Sequence, residues 1–317
     1  MIKKIIKNLS IFIFLGIVFA SLNAFAQNTP QTGEKKIDFT EDGVYAKNIA
    51  IKDLQNLFDL FEYDRYIYMP GWKYPPIFLE NMPTDFMSVE DRNKRINYFI
   101  KIMIPLALKT NEEIQIERLD FVNIRQAFDK NTDLTDEEKE KLEKFAERYD
   151  VFTRMSGLRR YNILIEKLDE KINTIPPSIL IANAAIETNW GDSAPLREGN
   201  SLYKELVWYT DEGIKPEDSV DDSYRIKTFP TLLDSIRSFA LKINSNVNYE
   251  LFRHSRADLL SRGPVVNGRN ISHNFYYNSN LQNFLGLLNY TITFYELTNI
   301  DKAKLGFPDE NDFRLPD

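Results

Sequence analysis

Glu187 is the residue around which chemistry can be built. It stands in the stretch Ser178 to Ser193, SILIANAAIETNWGDS, where almost everything before it is apolar or small. At about 100° per residue, Ile179, Leu180, Ile181, Ala182, Ala184, Ala185 and Ile186 fall on nearly every side of a helix. Such a helix is buried all round. Glu187 falls between Leu180 and Asn183, and no Lys or Arg stands three or four residues before it. The next cation along the chain is Arg197, beyond Gly191. A carboxyl that loses water without gaining a cation has its pKa raised. It then holds a proton near neutral pH, as a general acid must to protonate a leaving oxygen. The plainer reading is an acid that escapes into water at the helix end, since Gly191 is a stop signal. A negative charge there opposes the helix dipole, so the placement brings no structural benefit.

The elements that must hold this acid read mainly as helices. Pro176-Pro177 blocks helix upstream and suits a first turn. Ile51 to Phe61 puts Leu54, Leu57, Phe58 and Phe61 on one face. The Pro-rich MPGWKYPPIFLENMP must be extended or turning. A helix is expected from Ser88, with Asp91 in the capping-box place, a stripe of Ile96, Phe99, Ile100, Met103 and Leu106, and a kink at Pro105. Thr135 and Glu138 form a second capping box before Leu142, Phe145 and Tyr149, and Arg160 to Ile172 continues as helix. Leu202 to Thr228 loses helical period and reads as a small sheet or a long loop. Helices resume with Pro230 at the start of FPTLLDSIRSFALKIN, and a last one spans Leu281 to Leu297.

Length and charge narrow the classes. The chain has 317 residues and a formal charge of -7. Met1 to Ala26 has Lys3, Lys4 and Lys7, an apolar run from Ile11 to Ala20, and the end Ala24-Phe25-Ala26. This is the pattern of a secretory signal peptide, expected to be cleaved after Ala26. Its apolar core is short for a membrane span. No Cys follows it, which excludes a lipoprotein anchor. Cleavage removes three lysines and takes the charge from -7 to -10. An acidic exported chain argues against nucleic acid and anionic membrane surfaces. Without Cys it needs a sizeable core. His254 and His273 alone leave zinc without enough ligands, and no cofactor is expected.

At Glu187 the sequence resembles a known family. AAIETNWGDS and then REGNSLYKELVW resemble the A-x-x-E-S-x-W-G-x-S and G-N-N-L-F-G-x-W segments of exported glucosaminidases, the Bax-like proteins of glycoside hydrolase family 73. This domain is also known by the name mannosyl-glycoprotein endo-beta-N-acetylglucosaminidase. YRIKTFPTLLDSIRSFALKINSNVNYELFRHSRADL is similar to a later family segment ending F-R-x-x-R. PPIFLENMPTDF and RINYFIKIMIPLALKTNEEIQIERLDF resemble the region before the catalytic domain. Each motif alone is weak, and their shared order over Pro75 to Leu297 is specific.

The resemblance implies a lysozyme-like α+β catalytic domain with a small β lobe, preceded by a helical N-terminal region. It divides the chain into a signal peptide (1–26), a leader and helical region of unassigned role (27–74), a helical region typical of the group (75–150), the catalytic domain (151–300) and a tail (301–317). The implied activity is hydrolysis of peptidoglycan glycan strands in the periplasm, with Glu187 as general acid. Three departures stand out. Thr188 replaces Ser, Lys204 ends the stretch matching N-N-L-F-G, and Phe284 stands where the late Y-S-x-R-G-x-x-Y pattern has its second Tyr.

A partner carboxylate, if the mechanism needs one, comes in this family from the β lobe. Glu205, Asp211, Glu212, Glu217, Asp218, Asp221 and Asp222 are candidates, with Glu212 or Glu217 favoured. The substrate's own N-acetyl group is a third route. Trp190, Tyr203, Trp208, Tyr209, Tyr276 and Tyr277 are candidate stacking surfaces or core, with Trp190 expected mostly to pack. Asn183, Asn200 and Arg225 are candidates for holding hydroxyls or acetamides. The same fold also supports a wall-binding protein without turnover, a lytic transglycosylase or a muramidase.

Overall fold

The computed structural model describes residues 33–63, 72–131, 133–216, 219, 223–263, 266–275 and 282–307. The expected signal peptide lies outside them, as do Glu217, Asp218, Asp221, Asp222, Tyr276 and Tyr277.

The described chain is mainly helical, with three small sheets. It opens with a hairpin of β1 (Lys36–Thr40) and β2 (Gly43–Lys47), antiparallel from Lys36 opposite Lys47 to Thr40 opposite Gly43. The Asp42-Gly43 pair that marks this hairpin is a known turn signal, and the pattern reading passed over it. The helix α1 (Ile51–Leu60) follows and buries Ile51, Leu54, Leu57 and Phe58, as its periodicity predicts. The Pro-rich stretch is extended. It supplies β3 (Lys73–Tyr74) and β4 (Ile77–Leu79), and β4 joins β2 in parallel.

Next comes α2 (Arg92–Asn131), a 40-residue helix. One expectation about it, the place of its cap, needs correction. Its cap is Asp91, whose Oδ1 accepts the amides of Asn93 and Lys94 at 2.8 and 3.2 Å. Ser88 instead closes a 3-10 turn, and its hydroxyl donates to the Asp85 carbonyl. The helix also runs unbroken through Pro105. A proline there leaves the carbonyl four residues earlier without its amide donor. That carbonyl is Lys101 O, and the Tyr63 hydroxyl donates to it at 2.8 Å. The neighbouring segment thus supplies what the proline removes.

Then follow α3 (Asp136–Arg148), with the expected Thr135–Glu138 capping box, and α4 (Gly157–Lys171). The helix α5 (Pro177–Thr188) carries Glu187. The short α6 (Ala194–Gly199) leads to the hairpin of β5 (Leu206–Trp208) and β6 (Tyr224–Ile226). The rest comprises α7 (Leu232–Ser245), α8 (Glu250–Arg262), α9 (Gly268–Ile271), α10 (Gln282–Phe294) and β7 (Lys304–Leu305). β7 pairs with β3 in parallel, so the C-terminal segment is tied to the N-terminal one.

Two apolar clusters organise these elements. The larger one surrounds α5, and it draws residues from α1, β4, α2, α7 and α10. Val44, Leu54 and Trp72, all before residue 75, share this core with Ile179 and Ala185. The smaller cluster joins the second half of α2 to α3 and α4 through Phe121, Phe128, Leu142, Leu164 and Leu168. Lys171 links the two parts. Its ammonium donates to the carbonyls of Tyr149, Asp150 and Ser245, and burial pulls its pKa down to about 8.

Candidate active site at the end of α5

The helix α5 is buried from Pro177 to Ala185, as an all-round apolar sequence requires. Its two ends are held differently. At the N-terminus Pro177 needs no amide partner, and Asp301 takes the next orphan donor. Asp301 Oδ1 accepts Ser178 N at 2.8 Å, while Oδ2 accepts the Ser178 hydroxyl at 2.7 Å and Gly268 N at 2.8 Å. One carboxylate thereby caps α5 and α9 together. Gly268 is required by this close approach, because a Cβ there would lie 2.1 Å from Ser178 Oγ.

At the C-terminus, three consecutive residues turn left-handed: Asn189 (φ 49°), Trp190 (φ 60°) and Gly191 (φ 92°). Gly191 is thus part of the stop, but Asn189 is the residue that caps the helix. Thr188 stabilises the turn through its hydroxyl, which donates to Ala184 O at 2.6 Å and accepts Gly191 N at 3.0 Å. The hydroxyl shared by Ser and Thr at this position is therefore a structural requirement of the turn. Trp190 packs its ring edge-on against Phe99 and Tyr295, with centroids at 6.0 and 4.5 Å, as expected for a packing residue.

Glu187 lies between these ends, one residue before the last of the helix. Its side chain is about a third exposed, at 31%. Burial pushes its carboxyl above the ordinary carboxylate range, and Lys204 and Lys242 pull it partly back. The expectation of an acid without a cation is thus corrected. Lys204 Nζ lies 4.0 Å from Glu187 Oε2. Sequence spacing could not reveal this, because the lysine comes from a loop 17 residues on and not from the helix itself. Burial still outweighs both lysines, so the net shift is upward.

The remaining candidates divide sharply. Asn183 is buried at 3% exposure, one helical turn before Glu187. Tyr203 is buried too, stacked on Phe239 at 3.9 Å, and its hydroxyl donates to Leu180 O. Neither presents a surface that a sugar can reach, so both are core residues and not stacking or hydrogen-bonding partners of a ligand. Asn200 caps α6 in the left-handed region, and its amide donates to the carbonyls of Phe229 and Pro230 at 3.1 Å. Its part is to hold the loop. Arg225 lies on β6, half-buried, and donates to Tyr224 O. Glu212 sits in an exposed turn of the β5–β6 connection, where its amide donates to Thr210 Oγ1. Trp208 and Tyr209 are exposed, Tyr209 at 89%, and the Trp208 ring tilts against Tyr224 at 5.2 Å. Phe284 is half-buried and packs against the main core.

The pattern reading missed Arg253 and Arg256 as structural elements, although they are the arginines of the F-R-x-x-R segment. Both are buried on α8. Arg256 donates to the carbonyls of Glu170, Asn173 and Thr174 and to Asn244 Oδ1, which fixes the loop leading into α5. A cavity of about 540 Å³ opens at that end of α5, among Pro176, Pro177, Arg256 and Asp301. Glu187 does not line it, being about 15 Å away along the helix.

Residues 164–286 match the model of the glucosaminidase family, described as mannosyl-glycoprotein endo-beta-N-acetylglucosaminidase. The matched segment contains Glu187, Lys204 and Lys242. Among curated proteins, Protein bax of Escherichia coli (strain K12) is 25% identical over 197 residues, covering 60% of this chain and 65% of that protein. The match therefore spans a little less than two thirds of that relative's length. No solved structure matches significantly. The chain is thus similar to the glucosaminidase family over residues 164–286 and to Protein bax over part of its length.

Proposed function

We propose that this chain is an exported endo-β-N-acetylglucosaminidase that hydrolyses the glycan strands of peptidoglycan in the periplasm. The observation that carries the proposal is Glu187, a half-buried carboxyl at the open end of an otherwise apolar helix. Burial raises its pKa, the direction that favours the protonated form a general acid needs. That proton goes to the glycosidic oxygen as the bond to the sugar breaks and oxocarbenium character develops. The match to the glucosaminidase model over the residues around Glu187 supports the substrate class. The signal-peptide pattern of residues 1–26 supports export. Among the described residues no helix is long and apolar enough to cross a membrane. The substrate is anionic and the chain acidic, so binding relies on neutral contacts, for which exposed Trp208 and Tyr209 are suited.

The test is digestion of purified sacculi followed by identification of the new chain ends. N-acetylglucosamine reducing ends are expected. Muramic acid or anhydromuramic acid ends would instead assign a muramidase or a lytic transglycosylase.

One observation favours a second reading, a wall-binding protein with little turnover. Lys204 stands where the family pattern has glycine, and its ammonium approaches the proton donor. Binding to sacculi without release of any ends would support that reading over the first.

A further inference from the structure

The cavity at the N-terminal end of α5, about 540 Å³, has the size of a small-ligand site. It lies apart from Glu187, and no step of glycan hydrolysis uses it. Its walls are the middle of α2, the loop before α5 and the C-terminal segment from Asp301 to Leu305. The floor is apolar, with Leu108 and Ile175 buried and Pro176 and Pro177 beside them. The polar groups of the floor are already used within the fold. Asn111 exchanges two hydrogen bonds with the backbone of Ile175, Arg256 donates to loop carbonyls, and both Asp301 oxygens cap helices.

Recognition is left to the rim. The helix α2 brings Glu112 and Gln115, and the C-terminal segment brings Lys302 and Lys304. Both lysines and Gln115 are exposed. Among the described residues neither lysine has a side-chain hydrogen bond or an ion pair. Glu112 has one loose partner, Lys109 Nζ at 3.8 Å. Burial pushes its carboxyl up, and Lys109 pulls it partly back. The rim thus offers a carboxyl, an amide and two ammonium groups around an aliphatic floor. Among the described residues no aromatic ring lines the cavity, so a sugar ring or nucleobase finds no face to stack on. A divalent cation lacks ligands, because no group of three metal-ligating side chains occurs among the described residues. A ligand with small aliphatic side chains, carboxylates and an amine satisfies every group of the rim. Short peptides have this chemistry, and peptidoglycan carries them as the stems of its strands.

We propose that this cavity binds the peptide stem of peptidoglycan, with stem carboxylates at Lys302 and Lys304 and the stem's side-chain amine at Glu112. This rests on the reading of the chain as acting on peptidoglycan, and it gives the protein a hold on the wall away from the scissile bond. The test is calorimetric titration of the full chain with a synthetic tetrapeptide, alanyl-γ-glutamyl-diaminopimelyl-alanine. Its N-terminal amine is acetylated, as the strand would block it. Binding is expected. Lys302→Ala combined with Lys304→Ala should weaken it about tenfold, the scale of a hydrogen bond to a charged group. Acetylating the diaminopimelyl amine as well should weaken binding to the wild type by a similar factor, and to Glu112→Gln no further. The doubly acetylated probe needs no variant, so a folding defect does not obscure the answer. Absence of binding, or binding indifferent to both the lysines and the amine, overturns the proposal. Binding only by a peptide whose N-terminal amine is free would also overturn it, since that assigns a site for released peptides. Glycan cleavage plays no part in the readout. A chain that binds the peptide but releases no ends from sacculi fails only the enzymatic reading, and one that releases ends but ignores the peptide fails only this one.

Discussion

Lys204 Nζ lies 4.0 Å from Glu187 Oε2, and the backbone of this lysine is left-handed at φ 45°. Both facts bear on the family pattern, which has glycine at this position. Glycine adopts that backbone without steric cost, whereas lysine does so at a cost of about 1 kcal/mol. The ion pair returns little of it, because at 4.0 Å it is loose and its lysine is exposed to solvent.

Lys204→Gly should therefore stabilise the fold by about 1 kcal/mol in chemical denaturation, the released strain exceeding the lost pair. It should also change the pH dependence of hydrolysis. Lys204 lowers the Glu187 pKa, so its removal lets the carboxyl stay protonated to higher pH. The basic limb of the kcat/KM profile is expected to move up. A shift downward would contradict the role assigned to Glu187.

Asp301→Ala should cost about 3 kcal/mol, because two amides and a hydroxyl lose their acceptor at once. Burial pushes the Asp301 carboxyl from 3.8 up to about 6. The folded state then binds this proton more tightly than the unfolded one. The resulting stabilisation is complete below about pH 4 and is lost as pH rises through about 6. Asp301→Asn should accordingly flatten the fall in melting temperature between those two pH values.

Gly268→Ala should destabilise by about 2 kcal/mol through overpacking, since the new methyl would meet Ser178 Oγ. In a Ser178→Ala background the cost should shrink, because the closest obstructing atom is gone. Equal costs in both backgrounds would show that the close approach of α9 to α5 is not the cause.

Tyr63→Phe should cost about 1 kcal/mol by leaving the Lys101 carbonyl without a donor. Pro105→Ala restores the helix amide that normally serves that carbonyl. The hydroxyl should then matter less, and a double-mutant cycle on thermal unfolding is expected to show coupling between residues 63 and 105.

How much of this was legible in the sequence follows from the range of the interactions. The helix α5, its burial and the oddity of Glu187 are local, and periodicity alone conveys them. The Thr135–Glu138 capping box and the faces of α1 and α7 are equally local. The β1–β2 hairpin was also within reach, through Asp42-Gly43. The features that were not legible cross long stretches of chain. Lys204 reaches Glu187 from a loop, Asp301 caps a helix that starts more than a hundred residues earlier, and Tyr63 repairs the gap left by Pro105. Asn183 and Tyr203 show the converse. The first was a candidate for holding a ligand and the second a stacking surface or core, and the fold buries both.

The central claim is that Glu187 supplies the proton that breaks the glycosidic bond. The most direct measurement is the rate at which N-acetylglucosamine reducing ends are released from purified sacculi by the wild-type chain and by Glu187→Gln. The substitution keeps the side chain's size and removes its acidity. The account predicts a loss of at least about a hundredfold, the lower range for general-acid catalysis, with the fold and sacculus binding retained. Release by Glu187→Gln at a rate close to that of the wild type would contradict it.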